Sequence, residues 1–162
     1  MASSAPQFIL GEFRRTLDDR FRLSIPAELA DPLSVDGNDC ILAKERPGCL
    51  SLWSAGQWSA KLEAGVQLVR SKMQLGRLEG HLQEVQLLGR LLSTRHKNVE
   101  LAGRGRLLLP EGFREFLGVE AGGELMVVGA AICIELWRPE AWIKYLEERM
   151  PEFQTLFDQL SS

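Results

Sequence analysis

The chain matches itself at an offset of 84 residues: LDDRFRLSIP (Leu17–Pro26) lies on LAGRGRLLLP (Leu101–Pro110), and CLSLWSAGQW (Cys49–Trp58) on CIELWRPEAW (Cys133–Trp142). The match runs ungapped over 42 positions, eleven of them identical, including Arg20, Arg22, Pro26, Trp53 and Trp58. Arginine, proline and tryptophan seldom coincide through shared strand composition alone, so the chain reads as a tandem duplication. Within 162 residues, each copy is too small to bury its own faces. Two copies are therefore expected to pair about a pseudo-two-fold axis and share one core.

Each copy reads as a strand, a tight loop, a second strand, a helical turn and a hairpin, which makes the fold α+β. Phe8 to Leu17 is strand-like, and Leu23 and Ile25 alternate with Arg22 and Ser24 until Pro26, which cannot donate to a ladder, opens AELADPL. DCILAKE and CLSLW flank Arg46-Pro47-Gly48, a turn signal, and ELMVV and ICIELW flank Gly129 in the second copy. Between the copies, Trp58, Leu62, Val66, Val69 and Met73 recur at helical spacing. Leu78, Leu82, Val85, Leu88 and Leu92 follow, with Gly76 or Gly80 as the break. A last apolar stripe, Trp142, Leu146, Met150, Phe153, Phe157 and Leu160, is interrupted by Pro151.

Several function classes lose support early. Cys40, Cys49 and Cys133 form no CxxC pair, and His81 and His96 lack clustered ligands, so neither a disulfide framework nor a metal site is expected. No GxSxG, Cys–His signature or P-loop is present, so the expectation is no catalysis and no cofactor. MASSAPQFILGEF lacks a basic segment followed by a long apolar run, and no stretch reaches the ~20 apolar residues of a membrane span. The expected setting is cytoplasmic, with no membrane partner.

A net charge of −3 argues at first against a polyanion as partner, but its distribution reverses the inference. Residues 139–162 carry the whole excess, as Glu140, Glu147, Glu148, Glu152 and Asp158 against Lys144 and Arg149. In the neutral body, Arg14, Arg15, Arg20 and Arg22 cluster near the first loop, and Arg95, Lys97, Arg104 and Arg106 near the second. Symmetry brings the loops Asp18–Arg22 and Ala102–Arg106 together, each offering two arginines at a strand entrance. Guanidinium groups hold phosphates and make two-pronged contacts to guanine edges, so the paired loops suit duplex DNA. A solvated turn or a structural Arg–Asp pair would explain any one arginine; its repetition favours DNA.

The pattern Asp-x-x-x-Arg, then an apolar-x-apolar-Pro strand, a hairpin ending in Leu-Trp and a helix beginning near Trp runs twice in tandem around a helical connector, with Ala102 in the place of aspartate in the second copy. This pattern resembles the MraZ branch of the AbrB-like family, regulators of the division and cell wall gene cluster. The resemblance covers essentially the whole chain. It implies tandem swapped-hairpin β-barrel units of the AbrB type at residues 8–58 and 94–142, a helical connector at 59–93 and a C-terminal helical tail at 143–162. It also implies a ring-shaped homo-oligomer that binds promoter direct repeats of its own operon in double-stranded DNA, at the nucleoid.

The family motif falls on Asp18 and Arg22 in the first copy but only on Arg106 in the second, where Ala102 replaces aspartate. Asp18 is expected to fix Arg22, leaving the second loop looser. Phe21 stands where glycine is usual, so its loop must avoid a positive φ or bury the ring. Leu108 replaces Ser24, which makes the second outward strand face apolar and suited to a subunit contact. The expected DNA-binding residues are Arg14, Arg15, Asp18, Arg20, Arg22, Arg104, Arg106 and Lys97. The expected function is a DNA-binding repressor; the alternative is an oligomeric scaffold or partner-binding module without specific DNA binding.

Overall fold

The structure, a computed structural model, describes residues 8–162; the Met1–Gln7 part of the N-terminal reading lies outside the described residues. The first copy supplies β1 (Glu12–Thr16), β2 (Arg22–Ser24), α1 (Ala27–Leu33), β3 (Asp39–Arg46) and β4 (Cys49–Ser54). Two helices follow, α2 (Ala55–Gln74) and α3 (Leu82–Thr94). The second copy supplies β5 (His96–Glu100), β6 (Arg106–Leu108), α4 (Glu111–Leu117), β7 (Glu124–Gly129) and β8 (Ile134–Trp137). Helices α5 (Pro139–Arg149) and α6 (Phe153–Ser161) complete it. The fold is α+β with antiparallel pairing throughout. No helix of the described residues is long and apolar enough to cross a membrane.

The strands interleave between copies. The six-stranded sheet runs β1-β7-β8-β4-β3-β5, so the first strand of each copy joins the hairpin of the other, and β2 pairs with β6 in a separate two-stranded ribbon. Both central ladders map onto themselves at the 84-residue offset. Arg22↔Leu108 becomes Arg106↔Ser24, and Leu50↔Leu136 becomes Ile134↔Leu52. Sheet and ribbon enclose one core, in which Leu17, Leu23 and Leu50 meet Leu101, Leu107 and Leu136.

A closed β-barrel, expected from the family resemblance, does not form. Strands β1 and β5 remain at opposite edges of the six-stranded sheet, and the three-residue ribbon pairs only with itself. Each copy has too few and too short strands to carry the ladder round. The core is covered instead by the ribbon, α1 and α4.

The sequence register also slips by one residue within the hairpins. The segment between α1 and β3 is one residue shorter than that between α4 and β7, and a bulge between Lys44 and Arg46 restores the count. Cys40 and Leu42 therefore occupy the inward places of Leu125 and Val127, and all four are fully buried. Because side chains alternate faces, this slip decides which residues enter the core. The bulge also aims Glu45 at Ser51, whose hydroxyl donates to its carboxylate at 2.9 Å while accepting the Trp53 indole N–H at 2.8 Å. In the second copy, Glu135 stands at the position of Ser51 and accepts the Trp137 indole N–H directly, at 2.9 Å.

Gly129 ends β7 rather than making the turn, where Ala131 takes the positive φ of 67°. A Cβ on Gly129 would lie 2.4 Å from the Ile9 carbonyl oxygen. The close approach of the N-terminal segment, bridged to Ala131, thus requires glycine there. The tryptophans lie on the other side of the sheet from the main core: Trp53 and Trp58 are 5.3 Å apart between centroids, Trp137 and Trp142 5.2 Å.

Candidate nucleic-acid interface

The ribbon presents one apolar and one polar face. Leu23 and Leu107 are fully buried, whereas Ser24, Arg106 and Leu108 are exposed and Arg22 is half-buried. Strand alternation puts Arg22, Ser24, Arg106 and Leu108 on the outward side, two from each copy. The loops bearing Arg20 and Arg104 sit at opposite ends of this ribbon and flank it rather than touching each other. Their placement is fixed by a matched pair of backbone hydrogen bonds: Leu109 N–H to the Phe21 carbonyl, 2.9 Å, and Ile25 N–H to the Gly105 carbonyl, 2.8 Å.

Within the first loop, Asp18 Oδ1 accepts the backbone N–H of both Arg20 and Arg22 at 2.8 Å. Its other oxygen lies 3.5 Å from Arg22 Nε. The carboxylate thus fixes the backbone of Arg22 more firmly than its guanidinium. The Arg22 N–H, foremost, together with the Arg20 N–H and the two guanidinium charges, holds the Asp18 carboxyl below its ordinary range.

Phe21 adopts φ 61°, the same left-handed conformation as its counterpart Gly105 at 72°. The ring is half-buried, and the Arg114 guanidinium lies over it, 3.7 Å from the centroid. Arg114 also donates to the Leu109 carbonyl at 3.1 Å. Of the two alternatives posed by the sequence, the loop does not take the first: the strained φ is adopted, and the ring is partly covered instead.

The second loop keeps the same backbone frame but turns differently. Ala102 O accepts from Gly105 N at 3.0 Å, as Asp18 O accepts from Phe21 N at 3.1 Å. Arg104 takes φ 67°, whereas Arg20 does not enter this region. A carboxylate at position 18 holds the Arg20 N–H toward itself; alanine at 102 offers no such acceptor, and the corresponding peptide turns over.

The remaining predicted residues lie away from the ribbon face. Arg14 on β1 pairs with Glu124 at 2.9 Å, and Arg15 stacks over Phe13 at 5.5 Å and donates to the Arg14 carbonyl. Lys97 is exposed on β5, at the opposite edge of the sheet. Arg20, Arg104 and Arg106 are exposed and take part in no ion pair among the described residues. Among the residues sequence reasoning missed, Ser24 was legible from the strand alternation, but nothing local links Arg114 to Phe21.

Comparison with known proteins supplies the family. The model of the family described as "MraZ protein, putative antitoxin-like" matches residues 93–160. A "Transcriptional regulator MraZ" of Roseiflexus castenholzii is 31% identical over 133 residues, covering 82% of this chain and 82% of the relative. One of Thermus thermophilus is 30% identical over 138 residues, covering 85% and 87%. The chain belongs to the MraZ family. Its likeness to MraZ proteins extends to nearly full length in a relative of Clostridium beijerinckii, 25% identical over 94% of this chain and 96% of the relative. The loop asymmetry, with Asp18 in one copy and Ala102 in the other, is thus a property of this MraZ chain's own two halves.

Proposed function

We propose that the chain is a transcriptional regulator that reads double-stranded DNA with the β2–β6 ribbon and its two flanking loops. The observation that carries this reading is the placement of Arg22 and Arg106 on the outward side of one symmetric ladder, with the exposed Arg20 and Arg104 in the loops that flank it, two arginines from each copy. The B-DNA major groove admits a two-stranded ribbon, arginine pairs with guanine edges, and an exposed apolar side chain can meet a thymine methyl. Leu108, opposite Arg22, suits that last role better than the subunit contact expected from sequence. Arg14, Arg15 and Lys97, set back on the sheet edges, are assigned to phosphate contact.

In this reading the two interleaved copies are tandem AbrB-like swapped-hairpin units, residues 8–58 and 94–142, related by a pseudo-two-fold axis, with 59–93 as connector and 143–162 as tail. The protein acts in the cytoplasm at the nucleoid and represses its own division and cell wall cluster. It does so as a ring-shaped oligomer on promoter direct repeats, where linked weak contacts raise occupancy. Asp18 serves as a positioning residue for the first loop. The acidic total charge favours a second reading, an oligomeric scaffold without specific DNA binding.

The deciding experiment compares binding to duplex DNA from upstream of the protein's own gene with binding to scrambled duplex, for wild type and for Arg20→Ala with Arg104→Ala, across salt concentrations. Preferential binding that weakens steeply with salt and collapses in the double variant supports the ribbon as reading surface. Undiminished binding in the variant moves the site to the sheet edges. No preference for the promoter makes the scaffold reading the better one.

A further inference from the structure

Phe21 and Gly105 occupy the same place in the two halves, and so do Ala30 and Arg114, each pair 84 residues apart. The halves therefore differ by a matched exchange: an aromatic ring with a guanidinium in one, two minimal side chains in the other. The second half has no room for anything larger. A Cβ on Gly105 would lie 2.5 Å from the Ile25 carbonyl oxygen and 3.5 Å from the Ala30 Cβ. In the first half the carbonyl equivalent to that of Ile25 belongs to Leu109. Arg114 donates to it at 3.1 Å while its guanidinium covers the Phe21 ring, 3.7 Å from the centroid. The Leu109 N–H in turn bonds the Phe21 carbonyl at 2.9 Å.

This arrangement retains a strain that glycine would avoid, because a residue with a large side chain seldom adopts a φ of 61°. Strain of this kind persists where surrounding contacts hold it, and such positions concentrate at functional sites. Nor does the core consume the ring. Phe21 packs against the main core and under Arg114, yet it remains half-buried. It stands between Arg20 and Arg22, in a loop that flanks the outward face of the ribbon.

We propose that Phe21 is a specificity-determining residue, whose open ring surface meets a thymine methyl beneath the first loop, and that Arg114 is the positioning residue that holds it there. Contact with the thymine methyl is how a side chain without hydrogen-bonding groups distinguishes base pairs in the major groove. Leu108 offers such a contact within the ribbon, and Gly105 offers none at the other end. The two ends of the ribbon therefore demand different sequences, although their arginines are equivalent. The inference rests on the DNA reading of the ribbon and adds to it a base preference at one end only.

The test replaces each base of the promoter site in turn by thymine and by deoxyuridine, which differ only in the methyl group, and measures binding of the full chain by fluorescence anisotropy. For the wild type, deoxyuridine is expected to weaken binding about threefold to fivefold at a position near one end, the effect of one buried methyl group. That loss is expected to persist in Leu108→Ala, whose methyl contact lies elsewhere in the site, and to vanish in Phe21→Gly with Arg114→Ala. This double variant reproduces the Gly105–Ala30 pair that the second half already accommodates. Far-UV circular dichroism establishes that it is folded, and Phe21→Gly alone replaces it if it is not. Arg114→Ala alone is expected to lower the thymine preference with an unchanged salt slope; a slope reduced by about one would make Arg114 a phosphate contact and overturn its positioning role. A wild type that prefers its promoter but loses nothing to deoxyuridine at either end, or a methyl preference that survives in the double variant, would overturn the proposal. A wild type with no preference for its promoter would remove the DNA reading, and this inference with it.

Discussion

Arg114 on α4 lies over the ring of Phe21, which belongs to the other half of the duplication, with 3.7 Å between guanidinium carbon and ring centroid. The contact covers the one large apolar side chain that the first loop holds at a positive φ. Arg114→Ala removes both this stacking and the hydrogen bond to the Leu109 carbonyl. Its expected cost is about 1–2 kcal/mol of folding stability, measured as a lower urea midpoint with an unchanged slope. An unchanged midpoint would mean that Phe21 holds its conformation unaided.

Loop asymmetry predicts a gain from Ala102→Asp. An aspartate there can accept the Arg104 and Arg106 backbone N–H groups as Asp18 accepts those of Arg20 and Arg22. Pre-ordering the second loop is expected to tighten promoter binding by about threefold to tenfold, measured by fluorescence anisotropy. If affinity does not rise, order in that loop does not limit recognition.

Asp18 gives the first loop a defined pH response. Its carboxyl is held below the ordinary value of 3.8 by bonds that favour the ionised form. The stability it contributes is therefore fully present above that value and is lost as pH falls through the lowered one. The stability gap between wild type and Asp18→Asn is expected to stay constant above pH 3.8 and to narrow below it. A gap that widens on acidification would contradict the hydrogen-bonding scheme.

Arg14 provides the contrast. Its ion pair with Glu124 is exposed, with side-chain accessibilities of 51% and 52%. Such pairs contribute about 0–1 kcal/mol, so Arg14→Ala is expected to leave stability almost unchanged. Promoter affinity is expected to fall far less than in Arg20→Ala with Arg104→Ala; an equal fall would place the sheet edge in the reading surface.

The three cysteines serve as natural reporters of unfolding. Burial pushes the Cys40 thiol up to about 11 and Cys133 to about 12, and raises Cys49 as well. At pH 8, thiolate formation in the native state is suppressed. Alkylation is expected to be negligible until denaturant unfolds the chain, when all three react together. Rapid labelling of Cys49 alone in native buffer would reveal opening of the β4–β8 ladder.

Much of this architecture was legible in the sequence because the same physics is written twice. Pro26 and Pro110 mark strand ends, and Trp53 and Trp137 recur as paired aromatic supports. Period-two alternation identified the ribbon's two faces without naming its partner strand: nothing local says that β2 meets β6 rather than a strand of its own copy. The bulge at Glu45 escaped notice for a related reason. An ungapped match places Leu42 on Met126, and only the ladders reveal that Leu42 takes the place of Val127. The contact between Arg114 and Phe21 likewise depends on tertiary proximity that neither residue's neighbours encode.

The interleaving of strands sets a constraint on biosynthesis. As translation proceeds, β1 emerges early, yet its hydrogen-bonding partner β7 follows more than a hundred residues later, with Glu12 opposite Val128. The nascent first half consequently waits with unsatisfied strand edges while the ribosome completes the second. A message broken after the connector would release a half-chain whose nearest complementary surface is an identical half-chain, so truncated products are candidates for exchange-type pairing with one another.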